Sequence, residues 1–144
     1  MSKLSHVRRS IHSEAAALAV AQAVAHGRTL GVAVCAAVVD ASGVLTALLR
    51  AEDSPLHAVG IAQDKAYTAV SFGLASGDWQ QRLAERGEML RLGLSAQPRF
   101  AGFGGGLPVL EEGVRIGAIG VSGGSEAQDI SCAQAALDCL AERS

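Results

Sequence analysis

Aromatic side chains are scarce in this sequence: three Phe, one Tyr and one Trp make up 3% of 144 residues. Hydrophobic residues nevertheless reach 49%, so Ala, Val and Leu carry the apolar mass, and the core is expected to consist of small aliphatic groups in closely approaching elements. Flat faces of that kind also suit burial against further copies of the chain, and a homo-oligomer is expected. Cysteine is limited to Cys35, Cys132 and Cys139, an odd number without CxxC spacing, which supports neither a disulfide framework nor a zinc site. Excess positive charge is missing too. Twelve Lys and Arg against fourteen Asp and Glu give a net charge of −2 and a pI near 6.0, so no cationic field recruits a phosphate backbone and nucleic acid is not an expected partner. Long apolar runs are absent: Gly31 to Val39 falls far short of the roughly 20 residues that span a bilayer. No signal-peptide core separates Lys3, Arg8 and Arg9 from Glu14. The expectation is a cytoplasmic protein without a membrane segment, one domain over residues 1–144 with residues 1–10 a flexible tail.

Local patterns supply the elements. Leu18, Val20, Ala21 and Val24 recur with helical period from Ser13 to His26, and Gly27 offers a stop. The β-branched run Gly31 to Val39 and the apolar run Val44 to Arg50, joined by Asp40 and Gly43, read as a hairpin. Asp53 and Pro55 then suggest a helix start, with period-3.6 positions at Val59, Ala62, Ala66, Ala69 and Val70 up to Phe72. Between Leu74 and Arg99 the signal weakens to one short helix from Asp78 to Arg86. Gly106 to Leu110 and Val114 to Val121 form a second hairpin about Glu111, Glu112 and Gly113, and Ser125 caps a last helix through Leu140. Two hairpins with flanking helices predict an α+β domain with an antiparallel sheet. Glycines crowd the C-terminal half, where Phe103 to Val109 and Val114 to Gly124 mark a place for close backbone approach. The glycines of Gly102 to Leu107 lack the preceding strand and following helix of a dinucleotide fingerprint.

Five ordered stretches carry a family likeness: Val38 to Gly43, Leu49-Arg50 with Asp53, Ile61 to Ala69, Gly104 to Pro108, and Gly117 to Asp129. Together they resemble the GlcG/HbpS-like family of haem-binding proteins, and also the C-terminal part of PduO-type corrinoid adenosyltransferases. The resemblance implies a profilin-like fold, a five-stranded antiparallel sheet flanked by helices, with the fifth strand near Arg99 to Phe103, and assembly into dimers or larger homo-oligomers. Positions matching the family pattern are Asp40, Arg50, Lys65, Gly104, Gly105, Gly106, Ser122, Gly123 and Asp129. Some members of the family bind haem; lyase-type activity on hydroxylamino aromatic acids is suggested for a few relatives.

Each of these residues has a chemistry and a plainer alternative. The Arg50 guanidinium suits a haem propionate or small carboxylate held bidentately, or else an ion pair with a nearby acid. Lys65, amid Ala62, Ala66 and Ala69, needs a partner, either a structural one, a bound anion, or a role as base or imine-forming amine. Asp129 is favoured in the first turn of the last helix by the helix dipole, while Ser122 to Ser125 before it presents N–H groups to an anion. For a haem iron, His57 is the best-placed of four histidines, with Tyr67 and Met89 weaker. No His, Cys, Asp and Glu cluster has metal spacing. Three functions are therefore expected to compete: binding of haem or another tetrapyrrole; a lyase or isomerase acting on a small carboxylate with Lys65 or His57 as acid or base; and a scaffold or regulatory subunit without a small ligand.

Overall fold

The computed structural model describes residues 3–143. Its elements run α1 (Ser13–Thr29), β1 (Cys35–Asp40), β2 (Leu45–Arg50), α2 (His57–Phe72), a 3₁₀ turn (Ser76–Asp78), α3 (Trp79–Ala84), α4 (Glu88–Ser95), β3 (Gly106–Glu111), β4 (Val114–Ser122) and α5 (Glu126–Ala141). The strands form one antiparallel sheet in the order β2-β1-β4-β3.

Alternation along the strands divides the core between two sheet faces. Val34, Ala36, Val38, Ile119 and Val121 point to one side, where α1 brings Ala16, Val20 and Val24 and α5 brings Cys132, Ala133 and Ala136. Cys35 and Ala37 point to the other side with Ala58 and Ala62 of α2, and Val39 and Ala118 meet Ala66, Ala69 and Val70 there. The residues in these contacts are small, and α2 consequently lies directly on the sheet. A Cβ at Gly120 would run into the Ala62 carbonyl oxygen and stand 2.6 Å from the Ala66 nitrogen.

Turn chemistry closes both hairpins. Asp40 Oδ1 accepts from the N–H groups of Ser42 and Val44, and Gly43 takes φ 84°. Glu112 and Gly113 form a two-residue turn with φ 52° and 78°, matching the twist of the flanking strands. Ser125 caps α5 through a reciprocal box with Gln128.

Several expectations are corrected. Among the described residues the sheet has four strands rather than five: around residues 99–105, Arg99 and Gly105 take φ 66° and 128°. The backbone there bonds to side chains instead of to a strand, Thr68 Oγ1 donating to the Arg99 carbonyl and accepting from Ala101 N–H, and Ser76 Oγ donating to the Phe103 carbonyl. Asp53 does not cap α2, since it sits at φ 70° and the helix begins after Leu56. Helix α1 runs past Gly27 to Thr29 because Gly27 packs against the chain that follows, where a Cβ would stand 3.1 Å from both the Val32 oxygen and Val34 Cγ2. The region expected as loop after residue 86 contains α4. Before α1, Ile11 N–H donates to the Ile116 carbonyl, Ser10 Oγ accepts from Ala41 N–H, and Arg9 pairs with Glu111 at 2.6 Å, so the end of the expected tail lies against the sheet. Among the described residues no helix is long and apolar enough to cross a membrane.

Candidate functional site

Helix α2 places Lys65 against β4, and the side chain is 1% exposed despite its charge. Its ammonium donates to the Val121 carbonyl at 2.8 Å and to Asp129 Oδ2 at 2.9 Å. The other Asp129 oxygen accepts from Gly124 N–H at 2.9 Å. Asp129 can reach inward because Ser125 starts α5 where it does, putting this residue on the buried side of the first helical turn.

The glycine run covers this pair. A Cβ at Gly105 would stand 2.5 Å from the Val121 carbonyl oxygen and 2.7 Å from Lys65 Nζ, so a bare backbone is required. Gly104 N–H donates to Glu126 Oε2 at 2.6 Å and Gly106 N–H to Ser76 Oγ at 2.8 Å. The Phe103 ring, 46% exposed, closes over the ammonium with its centroid 5.0 Å away. The protein's own side chains thus occupy three donors of the glycine-rich segment, the carboxylates of Glu126 and Asp129 those of Gly104 and Gly124 and the Ser76 hydroxyl that of Gly106.

Burial pushes the Asp129 carboxyl above its ordinary range; hydrogen bonding and charge from Lys65, with the Gly124 N–H, offset part of that, and Glu126 adds to it. The neighbouring Cys132 thiol is pushed up to about 11 by burial and by the Asp129 charge. On β1, the Cys35 thiol is also raised by burial, against the opposing charge of Arg50.

Not every expected site residue joins this centre. Arg50, Cys35 and Ser122 align across adjacent strands β2, β1 and β4, which puts Arg50 two strand spacings, about 10 Å, from Ser122. Arg50 is exposed and donates to the Ser54 carbonyl at 2.6 Å. Ser122 is buried, and Gly123 takes φ 128° with the space of its missing Cβ filled by the Ala33 carbonyl oxygen at 2.7 Å. His57 stands exposed at the start of α2 beside Leu56, which is 81% exposed, and Gly60 on the next turn has open space at its Cβ position. Arg50 and His57 therefore flank the connection 51–56, with its turn at Glu52 and Asp53, apart from the buried pair.

Glu126, Ser76 and an open groove have no local signal in the sequence. Glu126 and Ser76 hold the glycine loop, and only the fold brings Ser76 to it. An open groove of about 1000 Å³ runs between α1, β3 and α5, with His12 on its wall. Among the described residues no group of three His, Cys, Asp or Glu is arranged to hold a metal ion.

Known proteins share this architecture. A 15.0 kDa protein encoded between dhaT and dhaS in Citrobacter freundii is 39% identical over 129 residues, covering 89% of this chain and 91% of that one. The corrinoid adenosyltransferase PduO of Salmonella typhimurium is 34% identical over 118 residues, 82% of this chain but 35% of that protein. Among solved structures, Klebsiella pneumoniae ORFY superposes with a TM-score of 0.88 at 33% identity, covering 98% of this chain and 97% of that one. The PduOC:heme complex superposes with a TM-score of 0.80 at 32% identity, covering 92% and 94%. A double mutant of Streptomyces reticuli HbpS gives 0.87 at 28%, covering 97% and 93%. The family model described as haem degrading protein HbpS-like matches residues 11–138, and the chain belongs to that HbpS-like family.

Proposed function

We propose that this protein binds haem or a related tetrapyrrole, working as a homo-oligomer of a profilin-like domain. The observation that carries the reading is the close structural match to a relative solved as a haem complex, supported by the HbpS match. The chain offers a surface that fits such a group. His57 presents an exposed imidazole, Leu56 an exposed apolar side chain beside it, and Gly60 a helix face without a Cβ on which a flat ring can rest. Arg50, now on the Ser54 carbonyl, supplies a guanidinium for a propionate. Lys65 is not free for that task, because Asp129 holds it out of water.

Haem bound there would supply an iron centre, with the His57 imidazole as the nitrogen donor that would hold it. The chain's part is to present His57, cover one face of the macrocycle and neutralise a carboxylate. Hemin titration of the purified chain, followed by the Soret band, tests the reading; His57→Ala should change the band, whereas His12→Ala should leave it unaltered.

The buried Lys65–Asp129 pair favours a second reading, a lyase or isomerase acting on a small carboxylate. A raised carboxyl beside an ammonium under a glycine loop is an arrangement suited to proton transfer. Access would require Phe103 to move off the ammonium. Turnover of a hydroxylamino aromatic acid, lost in Lys65→Met and kept in His57→Ala, would favour this reading over haem binding.

A further inference from the structure

Two apolar surfaces of the molecule stand open, and they differ in charge. Helix α4 sets Glu88, Arg91 and Ser95 on one side and Met89, Leu90, Leu92 and Leu94 around the rest. None of its eight residues is buried, and Met89, Leu90 and Leu92 are 83%, 53% and 60% exposed. A helix this short is not held by propensity; it needs an apolar face to pack on. Within its own chain α4 leans on α3, itself only six residues long. Arginines predominate around it, with Arg82, Arg86 and Arg91 against Glu85 and Glu88.

The other open surface is the groove between α1, β3 and α5. Its apolar floor comes from Ala15, Leu18, Leu110, Leu137 and Leu140. Acidic groups edge it: Glu14, Glu111, Glu112 and Asp138 stand against Arg143 of the lining and against Arg9, which pairs with Glu111 at 2.6 Å and reaches Glu112 at 3.9 Å, so the edge stays net acidic. Its volume of about 1000 Å³ admits a row of Leu and Met side chains.

We propose that α4 of one copy seats in the α1–β3–α5 groove of a second copy. Apolar residues meet an apolar floor, and the arginine-rich flank of α4 meets the acidic rim, so the charge pattern selects the register. The contact joins two different surfaces, and every copy therefore offers one α4 and one groove. Copies add head to tail, and the assembly is a ring where the rotation closes. The contact rests on the homo-oligomer of the proposed function, while ligand binding at the start of α2 does not enter it and is read separately by hemin titration.

Two substitutions at exposed positions test it. Leu92→Glu sets an acid on α4 against the acidic rim, and Leu110→Arg sets a cation in the groove against the arginines; both wild-type side chains are 60% exposed, so the fold should persist, as checked by circular dichroism and thermal unfolding. In sedimentation velocity at tens of micromolar, the wild-type chain should run as an oligomer that loosens with added salt. Each variant alone should run as a monomer, its contact weakened at least about tenfold. Mixed together, the two variants should form a 1:1 dimer, since the intact groove of Leu92→Glu accepts the intact α4 of Leu110→Arg. A monomeric wild type, variants that retain the wild-type mass, or monomeric variants that do not pair on mixing would each overturn the proposal.

Discussion

The Lys65 ammonium lies 2.9 Å from Asp129 Oδ2, with 1% and 5% of the two side chains exposed. A buried pair of this kind gains little over an apolar pair of equal volume, yet losing one member leaves an uncompensated charge out of water. Lys65→Met should therefore cost about 3–5 kcal/mol of stability. Combining it with Asp129→Leu should recover most of that loss. Urea unfolding of the two single variants and the double variant measures the coupling, and single losses that simply add would contradict it.

The same pair sets a pH dependence. Burial raises the folded-state pKa of Asp129 above its ordinary value of 3.8. The folded chain then holds this proton more tightly than the unfolded chain, and releasing it favours unfolding. The contribution of Asp129 should fall as pH rises from 3.8 through its folded value and level off above. Urea midpoints should show the wild type losing ground to Asp129→Asn across that window; ground gained with rising pH would refute the raised carboxyl.

Gly120 tests the close approach of α2 to the sheet. Its missing Cβ corresponds to a position inside the Ala62 carbonyl contact, so Gly120→Ala should destabilise by about 1–3 kcal/mol or more through overpacking. Gly60→Ala, with open space on the same helix, should raise stability by roughly 0.5–1 kcal/mol. Thermal unfolding of both variants separates the effects.

Thiol labelling reports the thinly covered end of α5. Cys139 is partly exposed, while Cys35 and Cys132 are buried with thiols raised by burial, the latter to about 11. One thiol should react in the native protein and two more only on denaturation. Rapid reaction of all three would mean that the sheet core opens.

Local chemistry was legible in the sequence; long-range partners were not. Asp40 and Gly43 announced the first turn, Glu112 and Gly113 the second, and Ser125 the start of α5, because each acts on backbone within a few residues. The expected fifth strand failed because Thr68 and Ser76, about 30 residues before the segment, take up its backbone bonds. Helix α4 escaped notice because it is short, carries Gly93 in its interior and starts at Gly87 without a side-chain cap. An ammonium among alanines demanded a partner, but only the packing of α5 identifies Asp129. Arg50 holds the Ser54 carbonyl, three residues before the exposed His57, a contact with main chain that no side-chain pattern announces.

Hemin titration tests the central claim most directly. The wild-type chain should give a saturable Soret band at a fixed stoichiometry, His57→Ala should shift or abolish it, and Arg50→Ala should weaken binding about tenfold through the lost propionate contact. His12→Ala should titrate like the wild type. A wild-type spectrum no different from hemin in buffer would contradict haem binding, and an unchanged His57→Ala titration would contradict the site.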